Sequence, residues 1–210
     1  MLKLVIGDKN ISSWSLRPWL ALKQAGLPFT EVPVRLRQPD TPAQIACHSP
    51  SGKVPVLIDG DLHVWDSLAI CEYVAELAAD QGVALWPADR ATRAEARAIS
   101  AEMHAGFPAL RTHMGMDVHA RLSGQGHQVD ALKDAARVAE IWTSCRERFA
   151  AGGPFLFGAF SVADAMYAPV AFRFRTYGVH LPEAARGYRD TLLALPAMQE
   201  WEAGAEPSAG

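Results

Sequence analysis

The stretch KVPVLIDGDLHVWDSLAICEYV, residues 53–74, predicts a β-hairpin that leads directly into a helix. Two apolar runs flank the pair Asp59-Gly60, which favours a tight turn. Asp66 and Ser67 come next, and both residue types are favoured at helix N-caps. The helical spacing of LAICEYVAELAA follows at once, so we expect the order strand, strand, helix. The two predicted strands are residues 54–58 and 62–65.

The residues before this stretch predict a βαβ unit. Residues 2–6 alternate as in a strand, and residues 16–25 carry helical spacing that ends at Gly26, a favoured C-cap. Residues 29–36 predict a second strand, and Pro33 favours an edge position because proline donates no hydrogen bond to a sheet. The first third of the chain is therefore predicted to run β-α-β, then β-β-α.

Three serines precede the first predicted helix. Pro18 clashes with the carbonyl four residues before it in a regular helix, and that residue is Trp14. We therefore expect the helix to begin near Ser15, its N-cap, with Ser12 and Ser13 in the turn after the first strand. Open α/β sheets bind ligands at this end of a strand, and a helix N-terminus favours anions. Capping alone also explains all three serines.

The rest of the chain predicts only helices. A kink is expected in the first of them near Gly106 and Pro108. Strands followed by helices favour an α+β chain with two domains. The predicted helices are residues 91–122, residues 129–150, one starting near Ser161, residues 182–193 and residues 196–204. The predicted parts are a mixed N-terminal domain at residues 1–79, a linker at 80–89 and an all-helical domain at 90–210.

The composition excludes several classes of partner. The chain has 210 residues and a formal net charge of −3, so no basic field recruits nucleic acid or anionic lipid. No apolar run approaches the roughly 20 residues that span a bilayer, and the first residues do not resemble a signal peptide. We therefore expect no nucleic-acid partner, no membrane partner and a cytoplasmic location.

Neither the cysteines nor the histidines have the spacing of a metal site. The three cysteines are an odd number without C-x-x-C spacing, which predicts neither a disulfide framework nor a zinc site. Four histidines in the second half of the chain lack H-E-x-x-H or another compact ligand pattern. The sequence contains no G-x-S-x-G elbow and no P-loop, so we do not expect a serine hydrolase or a nucleotidase. The residues concerned are Cys47, Cys71, Cys145, His104, His113, His119 and His127.

Three segments in order resemble the cytosolic glutathione transferase superfamily over nearly the whole chain. They are SSWSLRPWLAL at residues 12–22, GKVPVLIDGDLHVWDSLAICEYV at residues 52–74 and LFGAFSVADAMYAPV at residues 156–170. The first looks like the S-S-C-S-x-R-V-R-I-A-L segment of the zeta class, which includes maleylacetoacetate isomerases. The resemblance implies a thioredoxin-like domain, β-α-β-(α)-β-β-α, followed by an all-helical domain.

The same resemblance implies a site for the glutathione sulfur at the paired serines. The first serine of the pair falls on Ser12, which would donate its hydroxyl to the sulfur, with Ser13 as an assistant. A serine is too weak an acid to take the proton, so it would stabilise the thiolate. Trp14 stands where the zeta segment has cysteine, which removes a second thiol from the site and weakens an isomerase assignment.

The other contacts with glutathione are implied by the hairpin segment. The resemblance implies a cis Val54-Pro55 peptide whose preceding backbone pairs with glutathione, and Lys53 would meet the glycyl carboxylate. Asp66 would accept the γ-glutamyl ammonium, and Ser67 at the helix start would bind the γ-glutamyl carboxylate. Plain N-capping explains the last two residues equally well.

The electrophile is expected to bind between the two domains. Arg173 and Tyr177 are further candidates for polar contacts there, and core packing is the competing account for the methionine and the phenylalanine. Ser161 and Asp164 have the spacing of a capping box and are expected to be a folding element. The residues predicted to line the electrophile site are Trp14, Met103, His104, Phe107 and Arg175.

Two classes of function follow. The first is an enzyme that adds glutathione thiolate to a small electrophile, either by conjugation or, in a zeta-like enzyme, by isomerisation. The second is a glutathione-transferase-like binding or regulatory protein without turnover. Both use glutathione and no resident cofactor or metal. The resemblance also implies a homodimer, to which Trp65 and the helix after Asp66 would contribute.

Overall fold

A computed structural model of the chain describes residues 1–207. Residues 208–210 of the predicted helical domain lie outside the described residues. The strands are β1 (Leu2–Ile6), β2 (Phe29–Pro33), β3 (Val56–Asp59) and β4 (Leu62–Trp65). The helices are α1 (Ser13–Ala25), α2 (Thr41–Ala46), α3 (Ser67–Asp80), α4 (Arg90–Ala105), α5 (Pro108–His113), α6 (Val129–Phe149), α7 (Val162–Tyr177), α8 (Glu183–Leu193) and α9 (Pro196–Ala203).

The four strands form one mixed sheet in the order β2-β1-β3-β4. β1 pairs in parallel with β2, whereas the pairs β1–β3 and β3–β4 are antiparallel. The predicted β-α-β and β-β-α units are therefore confirmed, and α2 fills the interval between them. β2 lies at an edge of the sheet, as Pro33 predicts, and it ends at that proline instead of continuing to residue 36.

The hairpin turn lies one residue later than predicted. Asp59 pairs with Leu62 as the last ladder pair, so the turn residues are Gly60 and Asp61. Gly60 has a φ of 58°, a left-handed conformation that glycine adopts at little cost. β3 begins at Val56, later than predicted, because Pro55 has no N–H with which to extend the ladder.

Helix α1 begins earlier than Pro18 suggests. Ser12 is the N-cap residue and Pro18 lies inside the helix, so the prediction that Ser15 is the N-cap is wrong. Proline interferes only with the carbonyl of Trp14, four residues before it. The first turn forms nevertheless, because the N–H groups of Ser15 and Leu16 both donate to the Ser12 carbonyl, at 3.2 and 3.3 Å.

The predicted helix over residues 91–122 is two shorter helices followed by an irregular segment. The kink predicted near Gly106 and Pro108 is a full break, and Phe107 between α4 and α5 has a φ of 60°. After α5 the chain leaves helical geometry because other parts of the protein hold it. Val118 illustrates this, since its N–H donates to the side-chain oxygen of Asn10 at 2.9 Å.

Helix α7 is the centre of the helical domain. Its residues are buried along almost the whole length, which fits a helix surrounded by neighbours rather than one with a solvent face. It packs against α4 and α8 on its own side and against α1 of the N-terminal domain. The aromatic rings of Trp142, Tyr167, Phe174 and Tyr188 meet edge to face in this core.

The capping box predicted at the start of α7 is present. Asp164 is fully buried, and its carboxylate accepts hydrogen bonds from the N–H and hydroxyl of Ser161 at 2.8 and 2.9 Å. It also accepts the N–H of Leu156 at 3.0 Å and the hydroxyl of Tyr188 at 2.8 Å. This carboxylate therefore joins the start of α7 to α8 and to the loop that precedes α7. These contacts confirm the predicted folding role.

A helix that crosses a bilayer must be both long and apolar. Among residues 1–207, none of the helices combines the two to the degree that crossing a membrane demands.

We predict that Asp164→Ala lowers the free energy of unfolding by about 3–4 kcal/mol, because four buried donors lose a charged acceptor. Urea unfolding followed by circular dichroism measures the loss. Ser161→Ala is the matched control, since it removes only the capping hydroxyl and should cost about 0.5–2 kcal/mol. Equal losses for the two variants would contradict the prediction.

Candidate functional site

A cleft of about 590 Å³ lies where the loop before β3 and the start of α3 face the helical domain. The residues that line it are Trp14, Ser51, Lys53, Val54, Pro55, Trp65, Asp66, Ser67 and His104. They come from both halves of the chain, because His104 belongs to α4 and the others precede α4. We call this space the interdomain cleft.

A second cavity of similar size has a different character. It measures about 610 Å³ and lies on the outer side of the helical domain, along α6 and the segment between α7 and α8. None of the residues predicted to bind glutathione or an electrophile lines it. The interdomain cleft, by contrast, collects backbone, carboxylate, hydroxyl, lysine and imidazole groups around one space, as ligand sites do.

The structure brings together every residue that was predicted to contact the glutathione peptide. Lys53, Val54 and Pro55 form one wall of the interdomain cleft, and the Val54-Pro55 peptide is cis. Asp66 and Ser67 form the adjoining wall at the N-terminus of α3. A peptide backbone, a helix N-terminus and a lysine therefore surround the same cavity.

Asp66 uses its two carboxylate oxygens differently. Oδ1 caps α3 by accepting the N–H groups of Leu68 and Ala69 at 2.9 and 3.2 Å. Oδ2 lies 3.1 Å from Nε2 of His104 on the opposite wall. The backbone of Asp66 has a φ of 73°, which is unusual for a residue with a side chain and is found at ligand sites.

Ser67 is backed by a buried guanidinium. Nη1 of Arg17 lies 3.4 Å from Ser67 Oγ, a long hydrogen bond. Arg17 is completely buried, and its Nε and Nη2 atoms have no partner among the residues that the structure describes. Burial, together with the charges of Arg111 and Arg173, lowers the pKa of Arg17 to about 9. Positive charge therefore lies behind the hydroxyl at the start of α3.

Trp14 contacts two arginines. The guanidinium carbon of Arg17 lies 4.3 Å from the centre of the indole ring, and that of Arg111 lies 4.6 Å from it. His104 meets the same ring edge to face, with ring centres 5.4 Å apart. Both arginines gain cation–π attraction from the indole. Trp14 therefore forms an aromatic wall of the cleft, the role expected for it.

The serines at the start of α1 lie beside this wall but are buried. Ser12 Oγ is 2.7 Å from Ser15 Oγ, and Ser15 Oγ also accepts the N–H of Gly7 at 3.1 Å. Ser13 Oγ accepts a hydrogen bond from Nη2 of Arg173 at 3.1 Å. Neither Ser12 nor Ser13 is among the residues that line the interdomain cleft. The role predicted for them at the sulfur stays a prediction.

Three residues expected at the electrophile site lie elsewhere. Met103 and Phe107 are buried in the hydrophobic core, so core packing is the correct account of both. Arg175 is paired with Glu202 of α9 at 2.7 Å and does not line the cleft. Its neighbour Arg173 points towards α1, because residues two apart on a helix lie on opposite faces.

Two arginines around the site were missed in the sequence. Arg17 lies within the SSWSLRPWLAL segment and matches the arginine of the zeta segment, which was a usable signal for a role in the site. Arg111 had no such signal, because its position beside Trp14 depends on how α5 packs. Its guanidinium also donates to the carbonyls of Gly106 and Met103, which close the break between α4 and α5.

No metal site accompanies the cleft in the part of the chain that the structure describes. Residues 1–207 hold no group of three histidine, cysteine, aspartate or glutamate side chains placed to bind a metal ion. The three cysteines are free thiols, and burial raises the pKa of Cys71 to about 12. A thiol with so high a pKa is not a nucleophile near neutral pH.

Comparison with protein families gives two matches that together span most of the chain. Residues 11–77 match the family described as "Glutathione S-transferase, N-terminal domain", and residues 91–204 match "Glutathione S-transferase, C-terminal domain". Glutathione S-transferase 3 of Zea mays is 31% identical over 154 residues, which cover 70% of this chain and 67% of that protein. Glutathione S-transferase 1 of Zea mays is 38% identical over 68 residues, which cover only 31% of each chain.

Solved structures share the fold over nearly the full length. A bacterial zeta-class maleyl pyruvate isomerase superposes with a TM-score of 0.75 and 22% identity, covering 99% of this chain and 100% of the other. A glutathione transferase homologue from Burkholderia, solved with bound glutathione, gives a TM-score of 0.71 and 24% identity over 95% of each chain. At these identities the likeness establishes the fold.

We predict that the pKa of His104 lies below its ordinary value of 6.5. Burial lowers it most, Arg17 and Arg111 lower it further, and the neighbouring Asp66 carboxylate opposes them. NMR titration of the imidazole measures it, with His104→Gln to assign the signal. Asp66→Asn should lower the pKa again, because it removes the opposing charge while keeping a side chain that caps helices. A midpoint above 6.5 in the unmodified protein would contradict the prediction.

Proposed function

This chain belongs to the glutathione S-transferase family, and we propose that it binds glutathione in the interdomain cleft and adds its thiolate to a small electrophile. One observation carries the proposal. The five residues predicted to contact the glutathione peptide line the same cleft as Trp14 and His104, so a peptide wall faces an aromatic wall. A bound thiol would lie between them, where an electrophile enters from the helical domain.

The γ-glutamyl group is proposed to bind at the start of α3. Asp66 Oδ2 faces the cleft and provides an acceptor for the ammonium, shared with His104. The hydroxyl of Ser67 and the N-terminus of α3 suit the γ-glutamyl carboxylate, with the charge of Arg17 behind them. The backbone at Val54 and the side chain of Lys53 serve the remainder of the tripeptide.

The thiolate is proposed to form at the N-terminus of α1 with help from a serine hydroxyl, Ser12 or Ser13. Lowering a thiol pKa from roughly 8.5 to near 7 requires about 2 kcal/mol. A hydrogen bond to a charged group contributes about 1.5–3 kcal/mol. A helix N-terminus adds about 0.3–1 kcal/mol. These two ordinary effects are sufficient for the proposed ionisation.

Conjugation is favoured over isomerisation at this site. Trp14 occupies the position of the zeta cysteine, so the site lacks a second thiol and has an indole in the cleft wall instead. Glutathione is the co-substrate, and no resident cofactor or metal is needed for this chemistry. A cytoplasmic location suits the free thiols, of which Cys47 is exposed.

We predict that Ser67→Ala and Asp66→Asn weaken glutathione binding about 10- to 150-fold, because each removes one hydrogen bond to a charged group. Isothermal titration with glutathione measures affinity, and turnover of a chloronitroarene measures activity. Asp89→Asn is the matched control, since Asp89 caps α4 in the same way but does not line the cleft.

Thermal stability separates the two possible roles of these residues. Asparagine is as good an N-cap as aspartate, so Asp66→Asn should keep its melting temperature while losing affinity. Unchanged affinity in both variants would contradict the proposed binding mode. Tight binding of glutathione without any turnover would support a binding or regulatory protein instead of an enzyme.

We also propose that two copies of the chain associate. β4 is an edge strand, and Leu62 and Trp65 on it are 48% and 47% exposed, which is unusual for such large apolar side chains. Light scattering at micromolar concentration should give about twice the 22.8 kDa of one chain. Leu62→Glu should shift the mass towards the monomer, and a monomeric mass for the unmodified protein would contradict the proposal.

A further inference from the structure

Three arginines surround the N-terminus of α1 without an acidic partner. We call Arg17, Arg111 and Arg173 the arginine cluster. Arg17 and Arg173 are buried and Arg111 is half-buried. The charge of Arg111 lowers the pKa of Arg17 and of Arg173, and the charge of Arg173 lowers the pKa of Arg17. Within residues 1–207, none of the three guanidinium groups has a carboxylate within the 4 Å of an ion pair.

Unpaired buried charge is costly for a protein. Arginine is rarely fully buried unless it is paired, because removal of a charge from water carries a large desolvation penalty. Here the partners of Arg173 are neutral groups, the carbonyl of Met114 and the hydroxyl of Ser13. Asp66 raises the pKa of Arg17 and Asp134 raises that of Arg111, but neither carboxylate lies within ion-pair distance of these arginines. The arginine cluster would therefore stabilise an anion at the start of α1.

The two candidate hydroxyls face different sides of the helix start. Ser12 Oγ lies towards the sheet, because a Cβ atom at Gly7, directly after β1, would approach it to 3.0 Å. Ser12 Oγ also shares a hydrogen bond with Ser15 Oγ. Ser13 Oγ lies towards the helical domain, where it meets Arg173 of α7. In the proposed function the electrophile reaches the sulfur from the helical domain, which favours a sulfur position on the side of Ser13.

We propose that Ser13 is the hydroxyl that donates to the glutathione sulfur and that Arg173, reaching across from the helical domain, is its positioning residue. The assignment rests on the proposed function and selects one of its two serines. Arg173 donates to Ser13 Oγ, so the hydroxyl hydrogen of Ser13 cannot point at the guanidinium and turns away from it. A hydroxyl that accepts from a cation is also a stronger donor, because hydrogen bonds in a chain polarise one another.

The ionisation balances without a protein base. The S–H bond of glutathione breaks, its proton passes to water, and the electron pair stays on the sulfur. Ser13 keeps its own proton and donates a hydrogen bond to the thiolate. The negative sulfur then lies next to the arginine cluster and provides the charge that its surroundings lack.

The test is the pKa of glutathione bound to the full-length protein, read from the ultraviolet absorbance of the thiolate during a pH titration. Ser13→Ala should raise this pKa by about one unit, a tenfold loss of thiolate at a pH below it. Arg173→Gln should raise it similarly, and the double variant should match Ser13→Ala alone, because Arg173 acts through that hydroxyl.

Matched controls separate this role from a structural one. Ser12→Ala and Ser15→Ala each break the Ser12–Ser15 hydrogen bond, so they should alter stability but leave the pKa of bound glutathione near that of the unmodified protein. Arg173→Lys keeps the charge without the planar fork of guanidinium and should restore part of the shift. Ser13→Ala retains Arg173, so its result does not depend on whether Arg173→Gln folds.

Other outcomes would overturn the assignment in recognisable ways. A raised pKa in Ser12→Ala with none in Ser13→Ala moves the donor to Ser12. Additive shifts in the double variant mean that Arg173 acts on the sulfur directly and does not position Ser13. If the unmodified protein forms no thiolate with glutathione, the proposed function fails and this assignment fails with it. A normal thiolate that is insensitive to Ser13→Ala overturns the assignment alone.

Discussion

Helix α1 is packed between the sheet domain and α7, and this packing determines where any chemistry can occur. α1 contacts α3 and β1 on its own side and α7 and α9 on the other, so most of its side chains are buried, including Arg17 and Ser15. At the N-terminal end of this helix, Trp14 lines the interdomain cleft, whereas the neighbouring serines are buried against the sheet and the helical domain.

The same packing explains why the site is positively charged. α1 carries Arg17 inward, α7 carries Arg173 towards α1, and α5 places Arg111 beside Trp14. The guanidinium groups of Arg17 and Arg111 both lie against the indole of Trp14, which gives each of them an aromatic ring in place of water.

Local signals predicted the parts of the fold that depend on neighbours in the sequence. The hairpin, the cap at Asp66 and the capping box at Ser161 and Asp164 each depend on residues within a few positions, and all are present. Through the resemblance, the sequence also named five residues for the glutathione peptide, and the structure places all five around one cleft. Two local details were wrong, the N-cap of α1 and the exact residues of the hairpin turn. The larger failures depended on distant contacts: the segment after α5 is held by other elements, and Arg175 reaches Glu202 on α9. No local pattern records such contacts.

Asp66 shows how closely stability and binding are joined in this protein. One carboxylate oxygen holds the first turn of α3, and the other faces the cleft and His104. The left-handed backbone at this residue is what allows the side chain to serve both directions, and the cap offsets part of its conformational cost. In the proposed binding mode the ligand meets an oxygen whose position is already fixed by the helix, so little ordering is required on binding. Because Oδ1 is committed to the backbone, only Oδ2 remains for a cation, and His104 and a glutathione ammonium must share it. Protonation of His104 would put a second positive charge beside that oxygen, which makes the neutral imidazole, favoured by burial among arginines, the form that is compatible with a bound ammonium.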